Sequence, residues 1–163
     1  MKTLDYLNLD EKKVTDVVKG LNLLLANLQV YYTNLRGFHW NIKGKGFFTL
    51  HAKFEELYND TAEKIDEVAE RLLQLNSVPE NRFSRYLKAA TIQETRNTPC
   101  GHEVLCQVMD MVKELIRNER EILRLASEAQ DEVTVSLMAD YLKEQEKLIW
   151  MLVAFNSQKP EEV

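Results

Sequence analysis

From Val14 to Phe38 the apolar residues fall in steps of three and four: Val14, Val17, Val18, Leu21, Leu24, Leu25, Leu28, Tyr31, Tyr32, Leu35 and Phe38. That spacing lays one continuous stripe along a helix of about seven turns, and a stripe of that length must be buried against other helices. The same spacing recurs three more times. It runs through Phe54, Tyr58, Thr61, Ile65, Val68 and Leu72, then through Leu105, Val108, Val112, Leu115, Ile116, Ile122 and Leu125, and last through Val135, Met138, Leu142, Leu148, Ile149, Leu152 and Phe155. Gly and Pro number only 5 and 3 in 163 residues, so little interrupts these runs.

The boundaries follow from capping chemistry. Asp10 suits an N-cap, which sets the first helix at about Asp10 to Asn41, and Gly44 and Gly46 mark its exit. The second helix runs from about Phe47 to Asn76. The third opens at NTPCGHE, with Thr98 as cap and Pro99 in the first turn, and Asp131 caps the fourth. Each helix is ~40 Å long at 1.5 Å per residue. The first and last links are short, so both pairs are expected to be antiparallel hairpins. The middle link exceeds twenty residues and holds NRFSRYLKAA, whose Phe83, Tyr86, Leu87 and Ala90 suit a short helix. One long crossover of this kind is the ferritin-like arrangement. The expectation is an all-α, ferritin-like four-helix bundle with a short extra helix in the crossover, as a single domain over residues 1–163.

Several function classes are disfavoured. No apolar run approaches the ~20 residues that span a bilayer. MKTLDYLNLDEKK lacks a signal-peptide core, so a cytoplasmic protein without membrane attachment is expected. Cys100 and Cys106 show neither zinc-ligand spacing nor a CxxC pair, which fits reduced thiols. The net charge is −5. Lys2, Lys12 and Lys13 alternate with Asp5, Asp10 and Glu11, and the chain closes on QKPEEV, so neither end is the basic arm that phosphate binding favours. An acidic balance suits solubility or the attraction of cations.

Two of the three histidines flank the first turn of chain, His39 before it and His51 after it. On a wheel with His51 at zero, Glu55 falls at about 40°, Asp66 at about 60° and Glu70 at about 100°. The apolar stripe lies near about 300°, while Lys53, Asp60, Lys64, Glu67 and Arg71 occupy a third, solvated face. His51 and Asp66 are ~22 Å apart along one helix, so they cannot hold the same ion within one chain. An antiparallel two-fold pairing of the second helix with its copy, about an axis near Asp60 to Ala62, brings His51 of one chain to Asp66 and Glu70 of the next, with His39 within reach of the same pole. Symmetry then gives two identical sites per dimer. Imidazole with carboxylate suits iron, zinc or manganese. A structural histidine pair beside a salt-bridged interface accounts for the same pattern. Glu-x-x-His, the motif of di-iron centres inside a bundle, is missing: Arg36, Phe48 and Pro99 stand three residues before His39, His51 and His102.

FHWNIKGKGFFTLHAKFEELYNDTAEKIDEVAER closely resembles the central motif of the Dps family, the mini-ferritins named as DNA-binding proteins from starved cells. RLLQLNSVPENRFSRYLKAATIQE resembles the family's crossover, and DEVTVSLMADYLKEQEKLIWMLVAF its last helix. The resemblance implies a hollow shell of twelve subunits that oxidises Fe(II), with hydrogen peroxide preferred, and stores ferric mineral as a protection against oxidative stress. It implies ferroxidase sites between two-fold-related subunits, with His39 and His51 from one subunit and Asp66 and Glu70 from its partner. Glu55 stands where the family often has a shorter acid, and ligates directly or through water. Zinc is a possible substitute for iron. Trp40 matches a tryptophan beside the site, as an acceptor of an oxidising equivalent or as interface packing. Trp150 matches a core or interface position. The family's acidic three-fold pores place Asp131 and Glu132 as candidates for the iron path, with a helix cap as the other reading of Asp131. Two alternatives stand beside iron storage: a DNA-compacting protein with accessory iron binding, and a non-catalytic shell.

Overall fold

The computed structural model describes residues 2–157, so the QKPEEV end lies outside the described residues. Six helices follow one another: α1 Thr3–Leu7, α2 Glu11–Asn41, α3 Phe47–Gln74, α4 Phe83–Ala89, α5 Gly101–Ala129 and α6 Glu132–Asn156. The four long ones form the expected bundle. α2 and α3 make one antiparallel hairpin, α5 and α6 the other, and α2 packs on α5 and receives α4. The expected stripe of α2 is core: Val14, Val17, Leu21, Leu24, Leu25, Leu28, Tyr31, Leu35 and Phe38 are all buried. Val18 packs at its edge.

Two of the expected caps are present. Asp10 accepts a hydrogen bond from the Lys12 N–H at 2.8 Å, and Asp131 accepts one from the Thr134 N–H at 3.1 Å. The third is not. α5 begins at Gly101 with Cys100 at its cap position, and no side chain caps it. The stretch before it is engaged by the turn after α2: the Pro99 carbonyl accepts from the Lys43 N–H at 3.2 Å, and Lys43 and Cys100 form a parallel bridge. Thr98 and Pro99 therefore precede the helix instead of starting it. The short α1 is also unforeseen. It is too brief to show periodicity, and it stands because Leu4 is buried and Lys2 pairs with Glu11 at 2.7 Å.

The crossover is held by two asparagines inside the apolar stripe of α2. Asn27 Oδ1 accepts from the N–H groups of Thr91 and Ile92, at 2.8 and 3.1 Å. Asn34 Oδ1 accepts from the Thr95 N–H at 3.1 Å, and its amide donates to the Gln93 carbonyl at 2.9 Å. These bonds satisfy backbone groups that have no helix of their own to pair with.

The largest correction concerns α3. Lys64 and Arg71, expected on a solvated face, are only 6% and 4% exposed. The buried arc of α3 also takes in Leu50 and Leu57, with Leu75 buried at its C-cap, which centres it at about 260° on the wheel, tens of degrees from the expected stripe. The physical reason is α6, which covers that flank. Lys64 Nζ reaches Asp60 at 2.5 Å and Glu144 at 2.6 Å. Arg71 reaches Asp131 at 2.5 Å and Thr134 Oγ1 at 2.9 Å. Burial alone would lower the Lys64 ammonium, but the bonds to Asp60 and Glu144 outweigh it and raise it above its ordinary value.

Candidate metal centre

α2 ends at Asn41 and α3 starts at Phe47, so five residues reverse the chain. Gly44 takes φ 96°, which a side chain resists, and its carbonyl accepts from the Phe47 N–H at 3.0 Å. The reversal sets the last turn of α2 beside the first turns of α3, and His39 beside His51.

The two histidines brace each other. His39 Nδ1 lies 2.8 Å from the His51 carbonyl oxygen, and His51 Nδ1 lies 2.8 Å from the His39 carbonyl oxygen. A carbonyl only accepts, so each Nδ1 carries the proton and donates. In the neutral ring that leaves the lone pair on Nε2, the tautomer a metal ligand requires. The rings stack with centroids 3.7 Å apart at 20°. Tyr58 meets His39 edge-on at 5.4 Å, and Phe47 stacks on His51 at 5.0 Å. His39 is buried and His51 half-buried, so both rings have fixed positions near the surface.

Glu55, Asp66 and Glu70 are exposed on the same helix. Their neighbours have partners: Glu56 pairs with Lys53, Asp60 with Lys64, and Glu67 accepts from the Tyr141 hydroxyl. Among the described residues, no side-chain bond or ion pair engages Glu55, Asp66 or Glu70, and the same holds for Glu63. Nor does any group of three or more His, Cys, Asp and Glu among the described residues converge on one point. The structure thus brings His39 and His51 together and leaves the distant acids facing outward from the single chain.

Trp40 is 63% exposed, with the Arg36 guanidinium 4.7 Å over its ring and 5.5 Å over that of Tyr32. Tyr32 in turn meets Tyr58 at 5.9 Å. A line of π systems therefore joins Trp40 to His39. Trp150 is 67% exposed and does not belong to the core of this chain. Asp131 is buried at 1% and fully engaged as cap and ion-pair partner, so of the two proposed pore residues only Glu132 is exposed.

Sequence reasoning missed Tyr58 and Phe47 as the walls of the histidine pair. Phe47 stands four residues before His51 and Tyr58 seven after it, which was the available signal. It also missed Glu119, which is wholly buried on α5 and accepts from the Gln145 amide at 2.6 Å. Burial pushes its carboxyl up to about 7, against the opposing pull of Gln145 and Lys64.

The chain is similar to known proteins. Residues 18–158 match the Ferritin family, described as a ferritin-like domain. A DNA protection during starvation protein of Porphyromonas gingivalis is 54% identical over 154 residues, which is 94% of this chain and 97% of that protein. The crystal structure of the Dps protein of Vibrio cholerae O1, described as a member of a broad superfamily of ferritin-like diiron-carboxylate proteins, aligns with a TM-score of 0.88 at 51% identity, over 90% of this chain and 92% of that one. Dps from Staphylococcus aureus aligns with a TM-score of 0.85 at 31% identity, over 88% of this chain and 97% of that one.

Proposed function

The chain belongs to the Dps family of ferritin-like proteins, and from that premise we propose that it oxidises Fe(II) at sites shared between two-fold-related copies and stores the ferric product in a hollow shell of twelve subunits. The observation that carries the reading is the reciprocal histidine pair. Two imidazoles present free Nε2 atoms near the surface, on a helix whose exposed Asp66 and Glu70 have no partner of their own among the described residues. Neutral imidazole and carboxylate together suit Fe(II), and zinc can occupy the same donors.

In this reading His39 and His51 hold iron from one side, and Asp66 and Glu70 come from the partner copy. Glu55, one turn beyond His51, ligates directly or through a water. The carbonyl bonds hold a proton on each Nδ1 and aim both rings, so the chain supplies the geometry of the site. Iron is substrate here. Two Fe(II) together give the two electrons that one hydrogen peroxide accepts, both oxygens leave as water once protons are added, and no hydroxyl radical is released. In this reading Trp40, linked to His39 by the contacts of Arg36, Tyr32 and Tyr58, gives an electron when only one iron is bound. Protection from peroxide inside the cytoplasm follows. None of the described helices is long and apolar enough to cross a membrane.

The test is stopped-flow absorbance after anaerobic Fe(II) loading, with peroxide or oxygen as the oxidant. Peroxide is expected to consume iron much faster, with two irons lost per peroxide. Equal rates, or one iron per peroxide with trapped hydroxyl radical, overturn the protective mechanism.

A further inference from the structure

The first two turns of α5 and the last turn of α6 bring together Cys106, His102 and Asn156, none of which the iron site uses. His102 Nδ1 lies 2.8 Å from Asn156 Oδ1. An amide oxygen only accepts, so Nδ1 carries a proton, and in the neutral ring the lone pair lies on Nε2. That nitrogen stands 4.0 Å from Cys106 Sγ. The Asn156 amide nitrogen points to the same sulfur at 3.8 Å. The thiol thus has a proton acceptor on one side and an N–H donor on another, and the acceptor is oriented by a third group, the arrangement that makes a cysteine nucleophilic. Cys106 is half-buried and His102 exposed, which admits a small reagent and hinders a bulky one.

Cys100 is the other free thiol, exposed at the cap position of α5. Six positions along a helix separate the two by a rise of ~9 Å, too far for a disulfide without unwinding the first turns. An oxidised Cys106 therefore has no thiol within its own folded chain to resolve it.

We propose that Cys106 is a peroxide-reactive thiol, oriented by His102 and Asn156, that hydrogen peroxide converts to a sulfenic acid. His102 Nε2 takes the thiol proton. The sulfur attacks one peroxide oxygen, an S–O bond forms and the O–O bond breaks. Sulfur loses two electrons to the peroxide, and the departing hydroxide takes the proton back from His102 and leaves as water. The step needs no iron, so its failure leaves the iron reading untouched, and the reverse holds.

The experiment uses the assembled, iron-free Cys100→Ser protein with a chelator present. Hydrogen peroxide is added and sulfenic acid is trapped with dimedone, and mass spectrometry follows the adduct at Cys106. The trapping rate is expected to exceed that of free cysteine by about tenfold and to fall by a similar factor in His102→Ala. Asn156→Ala should also slow it, because the imidazole then loses its orientation. His102→Gln serves as a second variant, with circular dichroism confirming that each remains helical. A rate no faster than free cysteine, a rate that the His102 variants leave unchanged, or labelling only after denaturation overturns the proposal.

Discussion

Arg71 Nη2 stands 2.5 Å from Asp131 Oδ1, joining the last turns of α3 to the residue that caps α6, with both side chains inside the fold. Removing one partner strands the other. Arg71→Ala is expected to cost about 3–5 kcal/mol, because Asp131 stays buried without its counter-ion. Asp131→Ala should cost a similar amount and lose the cap as well. The double variant Arg71→Met/Asp131→Thr, which keeps a capping hydroxyl and removes both charges, should cost clearly less than the two single changes added together. Urea denaturation of the three variants measures this; simple additivity would show that the pair does not act as a unit.

Glu119 makes stability depend on pH in an unusual direction. Its folded carboxyl titrates at about 7, above its ordinary 4.5. Between those values the folded chain holds a proton that the unfolded chain has already released. The stability from this group is complete below the unfolded value and is lost as pH rises through about 7. Glu119→Gln keeps the shape without the charge. It should be more stable than the parent by up to about 3 kcal/mol at pH 8, and nearly equal to it at pH 4. Paired denaturation curves at each pH cancel the other carboxylates. A difference that does not grow with pH would place the titration elsewhere.

If metal ligands come from two chains, inactive variants should rescue each other. His39→Ala/His51→Ala removes one half of the site, and Asp66→Ala/Glu70→Ala removes the other. Subunits exchanged between them should form mixed dimers in which one site is complete and the second lacks all four ligands. Iron oxidation should return to about half of the parent rate per mixed dimer. Recovery of nothing, with mixed dimers verified by mass, would mean that the acids do not face the histidines across an interface.

DNA is expected to bind weakly at neutral pH and physiological salt. The chain carries a net charge of −5. Lys2, the first described residue, is already paired with Glu11. Lys12, Lys13 and Lys19 stand among Asp10, Glu11 and Asp16, so that segment offers phosphate little net positive charge. A gel shift with plasmid DNA at rising salt checks this, and retardation that survives physiological salt would favour the DNA-compacting alternative.

The sequence carried much of this architecture because α2 is unambiguous. Its stripe from Val14 to Phe38 is core except at Val18 and Tyr32, and Asp10 caps where its position suggests. It failed at Lys64 and Arg71 because a wheel gives angles within one helix, not the direction from which a second helix arrives. α6 came down on the charged flank of α3 and carried its own acids with it. At the candidate centre, the type and spacing of His39 and His51 were legible. Their mutual bonds were not, because these depend on the sharpness of the turn at Gly44, a single φ value that no periodicity encodes.

The buried Lys64 has a consequence for where metal can go. Its ammonium sits between Asp60 and Glu144 and 5.2 Å from the centroid of the Tyr141 ring, close enough to pull on the Glu119 carboxyl. The seam between α3 and α6 is thus furnished with oxygen donors and yet already has a tenant of positive charge, tethered by its own backbone and unable to diffuse away. A divalent ion entering there would compete with a fixed ammonium for the same two carboxylates. At this seam between α3 and α6 the chain supplies its own cation and leaves no vacancy for a second.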